Sequence, residues 1–342
     1  MKFSVAFSFV APPGSSTTHI GTFREFKELT PYIEELGYHG IHMTEHHFQA
    51  DGFLPSPLLV LAQAAGQTKR VKLATNILVS TLYKPVQLLE DLATLDNLSD
   101  GRLIFGTSPG YVSEEFKGRG IEPETQFKLH EEIIDFIQHA WAHPEDIAWR
   151  GKMFEVPSVR LAPAPIQKTL PLWYGVSGPK LLEKAARRRA VLTASPRHTT
   201  DELVAHFGRY MEIAKTVGFV PKERPIFRDG IVLDTMAEAE RFGSVGTDGL
   251  FGIYGRKSAQ GERALQTDTG SLVTDAEMAK YKLMASRYII GDPTLAREKI
   301  ASIRDALNPT EIVMRMQMPD LPTDKLRQSL KLFAEQVMPH FA

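Results

Sequence analysis

The chain contains no cysteine, which excludes disulfides, thiolate metal centres and cysteine nucleophiles. It also lacks a charge imbalance. Lys plus Arg number 40 against 41 Asp plus Glu, a formal charge of -1, so nothing in the balance points to nucleic acid or an anionic membrane as partner. No run approaches the ~20 consecutive apolar residues that cross a bilayer. No G-x-G-x-x-G follows the first apolar stretch, and neither an H-x-H at that stretch nor an H-E-x-x-H occurs. These absences weigh against a dinucleotide-binding Rossmann domain and a zinc hydrolase.

The start, "MKFSVAFSFVAPPGSS", has one Lys and a short apolar run like a signal peptide. Ser4 and Ser8 interrupt the run and no convincing cleavage site follows, so it reads as a first buried strand of a cytoplasmic protein. Hydrophobic residues make up 43% of the 342 residues, ample material for one large barrel or two ordinary domains.

Along the chain the apolar period alternates between two and about 3.6. Short strands are expected at 3–9, 40–44, 71–78, 102–107, 172–176, 190–194, 225–233 and 311–318. Between them, Phe23, Phe26, Leu29, Ile33 and Leu36 share one helix face, with Gly37 as stop signal. Further helices are expected at 57–69, 85–99, 125–141, 179–188, 201–217, 293–306 and 323–338. Eight strands alternating with helices favour an α/β fold closed as a (β/α)8 TIM barrel, a single domain over 1–342. Two stretches break the rhythm: a Pro-rich insertion at 143–171 before strand five, and a Gly/Ser/Thr-rich segment at 243–285 after strand seven. The second has the length of a functional lid over the carboxyl-end face.

Barrel chemistry collects at the carboxyl ends of strands. There the sequence places Glu45 and His46 after strand two, Asn76 at strand three and Thr107 to Gly110 after strand four. Ser177 and Gly178 follow strand five, Ser195 to His198 strand six, and Asp320 strand eight. His46 and His47 cannot both face the mouth, because successive strand side chains point oppositely. In "GVSGPKLLEKAARR" a small turn runs into a helix whose first N–H groups suit a phosphate, with Pro179 fitted to the first turn. A plain N-cap by Ser177 explains the same residues equally well.

Together "TEHHF" (44–48), "KPVQLLEDLATLDNLSDGRLIFGTSPG" (84–110), "PLWYGVSGP" (171–179) and "SLKLFAEQVMPHF" (329–341) resemble the bacterial luciferase-like family of flavin-dependent monooxygenases. The N-terminal stretches resemble the luciferase alpha subunit, and "GTSPG" the limonene-monooxygenase-type branch. The resemblance implies reduced FMN supplied by a separate flavin reductase, reaction with O2 to a C4a-hydroperoxide, and oxygenation of a small apolar organic substrate. It makes His46 the catalytic histidine and Glu45 its acidic neighbour, which either orients the imidazole or holds a flavin ring N–H. Asn76 and Ile77 would lie beside the isoalloxazine at a non-prolyl cis peptide. Ser177 and Gly178 would hold the phosphate, and Ser108, Gly110 and Tyr111 complete the expected cofactor-binding set. Residues 256–284 fall at the mobile lid of luciferase.

The chain departs from that pattern where luciferase has phosphate-binding arginines. Pro109 and Phe127 stand there, with Lys128 adjacent, and Ser108 replaces a cysteine. A deazaflavin, coenzyme F420, is therefore the alternative cofactor. The resemblance also implies a homodimer through "SPLLVLAQAA" and "VQLLEDLATLDNL". Two other functions are open: a metal-dependent hydrolase using His46, His198 and Asp320, and a non-catalytic flavin-binding protein. No metal is expected in the leading reading.

Overall fold

A computed structural model describes residues 1–243 and 287–342. The first two strands are β1 (Lys2–Phe7) and β2 (Gly40–Met43), followed by β3 (Lys72–Thr75), β4 (Leu103–Ser108) and β5 (Leu172–Tyr174). Next come β6 (Val191–Leu192), β7 (Pro225–Val232), β8 (Tyr288–Gly291) and β9 (Glu311–Arg315). All pair in parallel along the path β8-β7-β9-β1-β2-β3-β4-β5-β6. At the open end of that path the join is made by side chains. The buried Arg228 of β7 donates to the His198 carbonyl at 3.1 Å, and Arg287 Nε donates to the Arg197 carbonyl at 2.8 Å. The fold is the expected TIM barrel.

The helices are α1 (His19–Glu35), α2 (Pro57–Gln67), α3 (Pro85–Leu98), α4 (Ser113–Gly118) and α5 (Gln126–Ala142). They continue as α6 (Pro179–Arg187), α7 (Thr200–Thr216), α8 (Pro293–Leu307) and α9 (Thr323–Leu332). Local chemistry sets their starts. Thr199 and Glu202 form a capping box on α7, and the Asp292 side chain accepts from Leu295 N ahead of Pro293 on α8, each satisfying N–H groups that a helix start leaves orphaned. Among the described residues no helix is long and apolar enough to cross a membrane.

Several elements differ from the sequence expectation. β8 was not anticipated: Tyr288–Gly291 follows directly on the long Gly/Ser/Thr-rich stretch and reads in sequence as part of one connection. The 143–171 insertion carries an antiparallel ribbon, Ile147–Arg150 against Glu155–Val159. The expected lid at 243–285 lies, beyond Gly243, outside the described residues.

Most of the core lies between strands and helices, where Phe7, Phe26, Leu29, Ile41 and Leu61 are fully buried. Inside the barrel a thinner layer takes Ala6, Ala74, Ile104, Trp173, Phe227 and Val313, one residue from each of six strands. Polar pairs complete the interior. Arg315 grips Asp229 with two bonds of 2.7 and 2.9 Å and donates to Ser8 Oγ at 3.1 Å. Removing one partner of such a buried pair leaves an uncompensated charge, at a cost of about 3–5 kcal/mol. Lower down, Glu311 accepts from Ser4 at 2.5 Å and meets His42 Nε2 at 3.3 Å. Burial opposes ionisation of Glu311, yet these two contacts outweigh it and hold its pKa below the usual value.

His130 of α5 is wholly buried, with Nδ1 2.7 Å from Ser80 Oγ. Burial pushes its pKa from 6.5 down to about 3. Between those values the unfolded chain holds a proton that the folded chain does not, so stability falls as pH falls. The unfolding midpoint is therefore expected to drop from pH 6.5 towards 4, and His130→Gln to remove part of that slope. An unchanged slope in denaturant titrations of the variant would exclude His130 as a source.

Candidate active site

At the carboxyl ends of β2 to β6 the loops enclose a cavity of about 460 Å³, within the range of small-molecule and cofactor sites. Phe53, Ile77, Val79, Leu181 and Phe227 give it apolar walls, and His46, Asn76, Ser108, Ser177 and Thr193 supply polar points. Glu45, Gly110 and Tyr111 also line it. Of the expected site residues only Gly178 does not.

The segment after β2 is buried from Thr44 to His47 and is held by backbone and side-chain bonds. His46 N donates to the Leu54 carbonyl at 3.1 Å, and Thr44 Oγ1 meets Ser8 Oγ at 2.8 Å. From this anchored strand end the His46 ring points into the cavity, edge-on to Phe53 with centroids 4.7 Å apart. Its Nδ1 lies 2.8 Å from Glu115 Oε1, and that same oxygen accepts from His47 N–H at 2.9 Å. A carboxylate accepting at Nδ1 fixes the proton there and leaves Nε2 as the acceptor nitrogen of the neutral ring. Nε2 stands 3.3 Å from the Tyr111 hydroxyl.

Glu45 is engaged by the scaffold around it. Its carboxylate accepts from His47 Nε2 at 2.8 Å, from Val79 N at 2.5 Å and from the Tyr83 hydroxyl at 2.5 Å. Arg119 approaches His47 Nδ1 at 3.3 Å, so His47 accepts on one side and donates to Glu45 on the other. Burial first, then the Glu45 charge, raises the Tyr83 phenol well above its usual pKa. This chain of bonds ties the β2 loop to α4 and to the segment after β3. As side-chain alternation requires, only one of the paired histidines reaches the cavity.

On the facing wall the Asn76–Ile77 peptide is cis. The Asn76 amide oxygen accepts from Thr193 Oγ1 at 3.1 Å, which spans β3 and β6. Ile77 occupies the space beside Gly175: a Cβ there would fall 2.3 Å from Ile77 Cδ1. Gly110 turns with φ +79°, and a Cβ on it would come within 2.6 Å of Val79 and 2.9 Å of Phe116. Only glycine lets that turn pass between the cavity wall and α4, whose third residue is Glu115. Ser108 Oγ accepts from Gly110 N at 3.3 Å.

The N-cap of α6 is Gly178, with φ +90° and no side-chain cap bond. A plain cap by Ser177 is therefore not formed, and the exposed Ser177 lines the cavity instead. Pro109 and Phe127 also line it, at the positions where the family pattern has arginines. Asp320 is engaged elsewhere, accepting from Ser16 N at 2.6 Å and Ser16 Oγ at 2.7 Å, so it does not join His46 and His198. Among the described residues no three His, Asp or Glu side chains are grouped as a metal site.

Sequence reasoning missed Glu115 and His206. Glu115 sits on a six-residue helix with no visible period, 69 positions from its histidine. Its nearness to the strand-four motif "GTSPGY" was the one available signal. His206 lies inside α7 and lines the cavity from there.

A broad apolar slot with a rim of amide and hydroxyl groups suits a flat heteroaromatic ring that carries hydrogen-bonding edges. The family model for luciferase-like monooxygenases matches residues 1–308. The chain belongs to the luciferase-like monooxygenases.

Two relatives of the luciferase-like monooxygenases are similar over nearly the whole chain. Limonene 1,2-monooxygenase of Rhodococcus erythropolis is 26% identical, over 92% of this chain and 80% of that protein. The oxygenase component of the flavin-dependent trigonelline monooxygenase of Acinetobacter baylyi is 25% identical, over 100% of this chain and 96% of that protein. Among solved structures, monooxygenase RslO1 of Streptomyces bottropensis superposes with a TM-score of 0.88 at 24% identity, over 100% of both chains. The oxygenating constituent of 3,6-diketocamphane monooxygenase of Pseudomonas putida, in complex with FMN, gives 0.82 at 20% identity, over 100% and 99%. The coenzyme F420 dependent tetrahydromethanopterin reductase of Methanopyrus kandleri gives 0.69 at 19%, over 100% and 99%. At these identities the structures speak for the fold alone.

Proposed function

We propose that this luciferase-like enzyme is the oxygenase component of a two-component system, taking reduced FMN from a separate reductase and oxygenating a small, mainly apolar organic molecule. The observation that carries the proposal is the buried Glu115–His46 pair presenting Nε2 to a largely apolar cavity. Reduced FMN, when bound, supplies two electrons and the position at which O2 is activated. One oxygen atom enters the product and the other leaves as water.

The chain's own groups do the rest. His46 Nε2 exchanges a proton with the reacting oxygen, as an imidazole does in general acid–base catalysis. Glu115 keeps Nδ1 protonated so that Nε2 is the working atom. Phe53, Ile77, Val79 and Phe227 keep water from the reacting centre, which protects a reactive oxidant from hydrolysis. Asn76 and Ser108 are the side-chain groups placed to meet polar edges of the flavin ring, and Ser177 with the first turn of α6 is where its phosphate would sit.

Coenzyme F420 is the second reading, favoured by Pro109 and Phe127 standing where arginines are expected. Reduced FMN binding to the purified protein, measured without oxygen, separates the two. With FMN, a flavin reductase, NADH and ¹⁸O₂, one labelled oxygen atom per product is expected, and His46→Ala is expected to lower product per NADH at least tenfold. Reduced FMN that binds yet yields no labelled product across a broad substrate panel would sink the oxygenase reading, and unchanged yield in His46→Ala would remove that residue from it.

The same reading extends to a homodimer through α2 and α3. Leu59 and Leu98 stand 74% and 56% exposed on either side of a groove shared by those helices, apolar side chains that a second copy would cover. Light scattering should return twice the chain mass, and Leu59→Asp should return the single mass. A single mass for the unaltered protein would end this part of the proposal.

A further inference from the structure

His198 and His206 reach the same end of the cavity from different elements, the loop after β6 and the second turn of α7. Their rings are parallel to within 6°, with centroids 5.9 Å apart. His198 Nδ1 lies 3.1 Å from the Ser195 carbonyl, and His206 donates to the Val176 carbonyl, one residue before Ser177. Each ring therefore spends one N–H on the backbone and keeps one nitrogen for a ligand. Parallel rings do not aim their remaining nitrogens at one point, which disfavours a shared metal ion.

We propose that the His198–His206 pair is the protonatable seat of the cofactor phosphate, doing the work that arginines do elsewhere in the family. This rests on the flavin reading above. Among the described lining residues there is no lysine or arginine. The imidazoles lining the cavity are His46, His198 and His206, and His46 is bonded to Glu115. A phosphate placed by Ser177 and the first turn of α6 thus meets these two rings next. To donate to an anion each ring must take up a proton, because its other nitrogen already serves a carbonyl.

Burial and neighbouring positive charge disfavour protonation of His206 when no anion is bound. Burial first, then His198 and Arg209, lower the pKa of His206 from 6.5 to about 4. Arg228 donates to the His198 carbonyl from β7, Arg197 is the residue before, and Lys180 stands in the first turn of α6. All of these are cations or become so, and a phosphate dianion supplies the missing counter-charge. Binding of the phosphorylated flavin is then coupled to proton uptake and tightens as pH falls.

The test compares reduced FMN with reduced riboflavin, which lacks the phosphate, by anaerobic calorimetry between pH 6.5 and 8.5. The affinity ratio of FMN to riboflavin is expected to rise as pH falls, by up to about tenfold per unit for each proton taken up. Repeating the titration in buffers of different ionisation enthalpy should show more protons absorbed with FMN than with riboflavin. His206→Gln should flatten the ratio, and His206→Arg should keep a preference for FMN at pH 8.5 with little pH dependence. A pH-independent ratio in the unaltered protein, equal proton uptake for both flavins, or an unchanged profile in His206→Gln would overturn the assignment. Failure of both flavins to bind would instead strike the flavin reading itself, and this inference with it.

Discussion

A single carboxylate oxygen, Oε1 of Glu115, accepts from His46 Nδ1 and from the His47 backbone. Those two hydrogen bonds hold the segment that carries His46. They fix which ring nitrogen carries the proton, and they dock α4 onto the end of β2. Because Glu115 is buried, water does not compete for the oxygen, so the bond both orients and rigidifies. The neighbouring chain from Tyr83 through Glu45 and His47 to Arg119 braces the same loop from the other side. The two acidic groups have separate partners: Glu115 bonds the imidazole that faces the cavity, and Glu45 bonds the scaffold beside it.

Much of the fold was legible in the sequence because helix periodicity survives without tertiary knowledge. Helices expected at 85–99 and 201–217 are found at Pro85–Leu98 and Thr200–Thr216. Tyr288–Gly291 and Ser113–Gly118 were not legible: the first follows directly on the long Gly/Ser/Thr-rich stretch, and the second is a short helix in the loop after β4. The second omission hid Glu115. A short helix whose one consequential residue bonds to a side chain far away in sequence leaves no local trace. "TEHHF" marked the strand end rightly, yet adjacency in sequence suggested Glu45 as the partner of His46. Two residues apart along an extended segment is the spacing that shares a face, which is why Glu45 pairs with His47.

The cavity departs from the family pattern at two positions. Pro109 and Phe127 bring apolar surface to places that hold guanidinium groups elsewhere. Such surface is compatible with a water-excluding wall but not with charge neutralisation. In the proposed reading, His198 and His206 take up a proton together with the ligand's phosphate, in place of a guanidinium in the cavity wall.

The central claim is that Glu115 holds His46 with the proton on Nδ1 and the lone pair of Nε2 facing the cavity. Nitrogen-15 NMR of the imidazole above neutral pH tests it directly. The account expects a protonated Nδ1 and a pyridine-type Nε2, with the balance moving towards Nε2–H in Glu115→Ala. A proton on Nε2 in the unaltered protein, or the same tautomer in both proteins, would contradict it.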